Sequence, residues 1–291
     1  NARKQLAMKV SIVDLNAADA QQLVTESLTK SGFAVVENHK IPVSELNELY
    51  EGWDDFFVNN NPDQYSTDAE SQTGYFSPHL AETAKGHEAQ DLKEYFHYWP
   101  GDVLPERVEK LTLHYYDAIF HLAKGVMAWL QANTSTTLWQ SIDKPFEEYL
   151  SRNQTLLRIL RYPPITGNEP PEAIRAGAHE DINLITMLPA ASESGLQIKP
   201  KGTGDWIPVE APAGSIVINV GDMLQELTDG AMPSTTHQVV NPTGDADNKA
   251  RLTAPVFCHP YPEMVLSDRY TAKSYLHERL SEINSEELRP S

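Results

Sequence analysis

The chain has 291 residues, of which 40% are hydrophobic and 22% charged, and its formal net charge is −18. That length allows one large domain or two small ones and is enough to bury a substantial core. The acidic balance argues against nucleic acid, whose phosphates need a basic surface, and against anionic membranes. No apolar run approaches the roughly 18 residues of a membrane span, and no basic-then-apolar stretch reads as a secretory leader.

Taken in chain order, residues 17–31 (AADAQQLVTESLTKS) read as a helix, with Asn16 as its cap and Gly32 as its stop. FAVVEN (33–38) alternates and is β-rich, which predicts a strand. Residues 42–58 form an amphipathic helix pattern with Pro42 in the first turn. Residues 60–102 are polar and carry glycines and prolines, so they read as a long loop region. Loops of that length in a compact domain are usually functional. Residues 105–133 are the longest helix candidate. From Thr155 onward short apolar runs are broken by Pro, Gly, Asn and Asp, the pattern of an antiparallel sandwich or barrel. The fold class is therefore α+β, mainly β. The N-terminal helices should pack on one sheet, since a large apolar sheet face would otherwise stay wet.

There is one cysteine, Cys258. It excludes an internal disulfide and a cysteine-based zinc or iron–sulfur site. Its apolar surroundings in PVFCHP suit a buried, inert thiol. A cytoplasmic protein, monomeric or weakly dimeric, is the expectation.

Four residues carry the chemistry. His179 and Asp181 lie two apart in AHEDINLITML, and on a strand residues i and i+2 share a face, so both can aim at one point while Glu180 aims away. His237, in STTHQVVNP, adds a second imidazole. Two neutral imidazoles and one carboxylate leave half an octahedron open, which is the ligand set of non-haem Fe(II) oxygenases. Arg251 opens RLTAPVF, and a guanidinium fork suits a carboxylate co-substrate.

The stretches LRILRYPP (157–164), HEDINLITML (179–188), SGLQI (194–198), WIPV (206–209), residues 212–242 and RLTAPVFCHPYP (251–262) resemble the catalytic core of a known family. GFAVVENHKIP (32–42), TGYFSP (73–78) and DLKEYFH (91–97) match its N-terminal part. The family is that of the isopenicillin N synthase-like Fe(II)/2-oxoglutarate-dependent dioxygenases. The resemblance implies a double-stranded β-helix (jelly roll) within a single catalytic domain, 8–291. Its parts would be a helical and mixed region (8–153), a jelly-roll core (154–262) and a C-terminal tail or helix (263–291).

The resemblance further implies Fe(II) on His179, Asp181 and His237, with 2-oxoglutarate as co-substrate and ascorbate as an optional reductant. Arg251 and Thr253 match the family's Arg-x-Ser pair, and Tyr162 matches a tyrosine that reaches the same distal carboxylate. Arg161 is a candidate second anion contact, although strand alternation turns it away from Tyr162. Tyr75, Phe76, Glu94 and Phe96 fall in segments that line the substrate end in relatives. Residues 243–249 (TGDADNK) form a polar insertion that can loop out without moving the strands. The implied activity is oxidation of a small molecule, by hydroxylation or desaturation, with dioxygen consumed and succinate and CO2 released. The alternative is an Fe(II) oxidase of the same fold that uses no 2-oxoglutarate, because isopenicillin N synthase keeps the Arg-x-Ser pair.

Overall fold

The computed structural model describes residues 9–66, 72–78, 93–165, 175–202, 204–241 and 249–287. Most of the 243–249 insertion lies outside the described residues. In chain order the N-terminal half holds β1 (Ile12–Asp14), α1 (Ala20–Ser31), β2 (Phe33–Glu37), α2 (Val43–Asn59), β3 (Gly74–Phe76), β4 (Glu94–Tyr98) and α3 (Glu106–Ala132). The strand-rich half holds β5 (Leu156–Tyr162), β6 (Ala176–His179), β7 (Ile185–Pro189), β8 (Leu196–Lys199) and β9 (Ile207–Pro208). It continues with β10 (Ile216–Val220), α4 (Asp222–Leu227), β11 (Thr236–Val239), β12 (Arg251–Thr253) and β13 (Val256–Cys258), and α5 (Ala272–Glu287) closes the chain. Among the described residues no helix is long and apolar enough to cross a membrane.

Two sheets face each other. The larger runs β1-β2-β10-β7-β13-β5-β4-β3, with β12 also paired to β5; the smaller runs β6-β11-β8-β9. Among the described residues, these strands pair antiparallel except β1 with β2. This is the double-stranded β-helix expected of the sequence. In β10, a continuous apolar run broken by one Asn, all five residues are buried. Ile216 and Ile218 join the large core beneath the helices, whereas Val217 joins a separate cluster inside the barrel with Phe33, Val35, Leu160, Tyr162 and Ile198. Each strand of the larger sheet thus sorts its residues by parity: one set holds the helices, the other lines the interior.

The helix layer locks onto the outer face through large side chains. Trp53 of α2 is fully buried, 5.0 Å from Phe96 and 5.2 Å from Phe56 between ring centroids, and its indole N–H donates to Thr112 at 3.0 Å. The hydroxyls of Tyr115 and Tyr116 on α3 donate to the carbonyls of Ala254 and Thr155, tying that helix to the chain just before β13 and just before β5.

Two expectations need correction. The 60–102 region is not a loop throughout: β3 and β4 extend the larger sheet beyond β5, in the register Tyr95↔Leu160 and Phe96↔Ile159. The pairing partner, rather than local apolar periodicity, makes these segments strands. Asn16 does not cap α1. The helix starts at Ala20, after a turn in which the Asn16 N–H donates to Asp14.

Gly32 does stop α1. It is left-handed at φ 73°, and its N–H donates to the Leu28 carbonyl. A Cβ there would press on the Pro233 carbonyl oxygen and lie 2.7 Å from Thr235 Oγ1. Thr235 in turn donates to the Ser31 carbonyl at 2.8 Å, so the end of α1 holds the segment leading into β11. Gly32→Ala is expected to lower the urea midpoint, with at least about 1–2 kcal/mol lost to the left-handed backbone alone. An unchanged midpoint would rule out this packing.

Candidate metal centre and co-substrate pocket

His179 ends β6 and His237 lies in β11, and the two are register partners across the smaller sheet. The register slips between His237 and Val239, whose partner is Ala176. This β-bulge lets Ala176 face the same interior as His179, although the two are three residues apart. Asp181 lies beyond the end of β6. Its position is therefore set not by strand alternation, as the H-x-D spacing suggested, but by bonds to the larger sheet. Its Oδ2 accepts from Thr186 at 2.6 Å and from Asn219 at 2.8 Å, and its carbonyl accepts the Asp222 N–H at 2.8 Å. Glu180 turns outward and accepts from Thr236.

Among the described residues, His179, Asp181 and His237 form a group whose ligating atoms all lie within 4.8 Å of one another. Asp181 Oδ1 is 3.8 Å from His179 Nε2 and 3.7 Å from His237 Nε2. These gaps are too long for hydrogen bonds and can be spanned through one ion with bonds of about 2.1 Å. The tautomers follow from the network. Nδ1 of His179 faces the Gly177 carbonyl at 2.7 Å, and Nδ1 of His237 faces that of Thr235 at 3.1 Å. Each Nδ1 therefore carries the proton, and each Nε2 offers its lone pair to the shared point.

Burial lowers the pKa of His179 to about 4, and the adjacent His237 pushes in the same direction. The ring nevertheless keeps 46% of its side-chain surface exposed. Burial would raise the Asp181 carboxyl, but His237, His179, Thr186 and Asn219 together hold it below its ordinary range. The donor set is two imidazoles that turn Nε2 to one point and one carboxylate, which fits Fe(II).

Arg251 of β12 lies opposite Tyr162 of β5, its guanidinium 5.4 Å from the ring centroid. It is 3% exposed; Nε donates to the Glu193 carbonyl at 2.9 Å, while Nη1 is buried without a partner among the described residues. Thr253 has the same parity, and the Tyr50 hydroxyl from α2 reaches it from behind while donating to the Ala190 carbonyl. A buried cation with a spare N–H, beside a phenol and a hydroxyl, is a carboxylate site.

The remaining sequence-predicted residues divide by parity. Phe76 lies in the interior cluster, stacked on Tyr95 at 4.8 Å. Tyr75 and Phe96 belong to the core under the helices. Glu94 accepts from the Tyr75 hydroxyl and from Arg161, whose Nε donates to Asp54 of α2. Arg161 is thus paired with two acids on the helix side, away from Arg251. Sequence reasoning missed Thr186 and Asn219, whose signal was a lone polar residue within each apolar strand. It also missed the interior wall of Tyr95, His97, Arg158 and Phe257. The Arg158 guanidinium sits 4.9 Å from the Tyr95 ring and 5.3 Å from that of Phe257, with its Nε 2.8 Å from His97 Nε2. Lys93, 5.9 Å from the Tyr95 ring, is close enough to the metal centre to depress the pKa of His179.

Residues 153–260 match the model of the 2OG-Fe(II) oxygenase superfamily, and residues 10–111 match the N-terminal model of non-haem dioxygenases in morphine synthesis. The chain is 41% identical to a candidate oxygenase of Shewanella oneidensis, with a TM-score of 0.86 and coverage of 95% of this chain and 99% of that one. The chain belongs to the 2OG-Fe(II) oxygenase superfamily. It is 26% identical to a 2-oxoglutarate-Fe(II) type oxidoreductase of Aspergillus fumigatus, over 85% of this chain and 78% of the relative. The fold also matches a full-length Neurospora crassa protein solved in complex with alpha-KG, with a TM-score of 0.76 at 21% identity over 93% of this chain and 95% of that one.

Anaerobic Fe(II) titration is expected to give about one site per chain. Asp181→Ala abolishes that site, and Asn219→Ala weakens it about 10- to 100-fold through misorientation of the carboxylate. Full affinity in Asp181→Ala sinks the assignment. A pH effect also follows. Unfolded His179 takes up its proton near 6.5 and the folded residue only near 4. Between those values the unfolded state binds more protons, so the metal-free protein loses stability as pH falls across this window. In His179→Gln the drop in urea midpoint between pH about 7.5 and about 5 should be smaller than in the wild type; an equal drop contradicts the buried neutral imidazole.

Proposed function

We propose that the chain is a single catalytic unit that uses Fe(II) and 2-oxoglutarate to oxidise a small molecule with an apolar or aromatic body and an anionic group. The observation that carries this reading is the convergence of the His179, Asp181 and His237 ligand atoms in a barrel that also buries the Arg251 cation. The shared core beneath α1, α2 and α3 supports one unit over two. The buried Cys258 thiol, pushed up in pKa by burial, fits a cytoplasmic setting.

When bound, iron and 2-oxoglutarate supply an oxidative decarboxylation that releases succinate and CO2 and leaves an oxidant for the second substrate. The chain's own residues do the placing. His179, Asp181 and His237 would hold the ion. Arg251, Thr253 and Tyr162 would bind the far carboxylate of the co-substrate and so fix its orientation in the barrel. Phe76, Tyr95 and Phe257 exclude water from the interior, and Arg158 and Lys93 favour a negatively charged substrate there.

With Fe(II), oxygen and ascorbate, the protein should form succinate from 2-oxoglutarate slowly even without a second substrate. Arg251→Ala should raise the 2-oxoglutarate requirement about tenfold or more, since a charged hydrogen bond contributes about 1.5–3 kcal/mol. Small aromatic and aliphatic acids should stimulate succinate formation, and Tyr95→Ala should reduce that stimulation. Tyr95→Phe, which keeps the packed ring, should reduce it less, and Phe96→Ala, on the opposite face of the same strand, should cost about 3–5 kcal/mol of stability without that selective loss. Oxygen consumed with one of these acids alone, and no succinate under any condition, would favour the oxidase that needs no 2-oxoglutarate.

A further inference from the structure

The barrel buries a second guanidinium that the reading above does not use. Arg175 immediately precedes β6 and is 1% exposed. Its Nη2 donates to the Lys249 carbonyl at 2.8 Å. Lys249 lies two residues before Arg251, so this bond anchors the Arg175 head beside the start of β12. Arg251 spends its Nε on the Glu193 carbonyl. What remains is Arg175 Nε and Arg251 Nη1, both buried and both without an acceptor among the described residues. Burial lowers the pKa of each arginine, and the charge of Arg251 lowers that of Arg175 further. Tyr162 and the half-buried Glu193 act on both in the opposite sense.

Two neighbouring cations with unmet N–H groups in a dry interior are unfavourable until an anion joins them. One carboxylate has about four lone-pair sites, enough to accept from two guanidinium groups and a phenol. We propose that Arg175 and Arg251 jointly bind the distal carboxylate of 2-oxoglutarate, with Arg175 as the second cation that selects dicarboxylic over monocarboxylic 2-oxo acids. The inference rests on the assignment of this pocket to 2-oxoglutarate. It moves the second anion contact from Arg161, which is committed to Asp54 and Glu94, to a residue on the other sheet.

A purely structural role for Arg175, as a strut to Lys249, makes a different prediction, and ligand discrimination separates the two. The Fe(II)-loaded protein is titrated anaerobically by calorimetry with 2-oxoglutarate and with 2-oxovalerate, which keeps the five-carbon chain and the chelating end but lacks the distal carboxylate. Arg175→Gln should weaken 2-oxoglutarate about 10- to 100-fold, the worth of one charge-assisted hydrogen bond. It should leave 2-oxovalerate within about threefold, because that ligand makes no use of the lost cation. Arg175→Lys, which keeps the charge but loses the planar fork, should fall between wild type and Arg175→Gln for 2-oxoglutarate alone. Wild-type binding of 2-oxoglutarate by Arg175→Gln, or equal loss of both ligands, overturns the proposal. If Arg175→Gln does not fold, Arg175→Lys decides: selective weakening of 2-oxoglutarate supports the proposal, and wild-type or equally reduced binding of both ligands overturns it. A wild-type protein that binds iron but neither oxo acid overturns the co-substrate assignment itself, a result distinct from both.

Discussion

The carboxylate of Asp181 is the point on which the rest of this structure turns. One of its oxygens is held by Thr186 on β7 and Asn219 on β10, both in the larger sheet. The other points at two histidines that belong to the smaller sheet. The orientation of the free oxygen is therefore set by hydrogen bonds before any ion arrives, and an ion bound there would link the two sheets. Preorganisation of this kind removes most of the ordering cost from metal binding. Hydrogen bonds from Thr186 and Asn219 also favour the ionised form of this buried acid against the cost of desolvation.

The interior is divided between two chemistries. Around His179 and His237 the walls are aromatic, with Phe33 packed edge-on against His237 at 5.5 Å. Around Arg251 they are hydroxylic and cationic, and part of the polar lining comes from outside the barrel: Tyr50 belongs to α2, yet its hydroxyl reaches Ala190 and Thr253. The helix layer is thus more than a cover for an apolar sheet face, because it also supplies the back of the anion site. Any motion of α2 relative to the sheet would be felt there directly.

Much of this architecture is legible in the sequence. Gly32 as the end of α1, the long amphipathic run of α3, the short strands after Thr155 and the His-x-Asp with its distant His all have local physical signals. What escaped reading depended on partners. β3 and β4 are strands because β5 offers an edge to pair with, and no local pattern in a polar segment reports that. Tyr75 and Phe96 were placed by analogy of position, but alternation along β3 and β4 sends both to the helix core. Asp181 aims where the spacing suggested, by a different route, since β6 ends before it. Arg175 had no signal at all, because its neighbour in space is a carbonyl more than seventy residues away.

The alternation of β4 puts two roles on one strand. Glu94, Phe96 and Tyr98 are bound up with the helices, while Tyr95 and His97 face the barrel interior, within five residues. Tyr95 is itself buried and stacked on Phe76, so a change there that keeps the ring alters the polarity of the interior and spares the packing. The interior can therefore be retuned from one set of positions and the helix contact from the other, because neither set shares a face with the other.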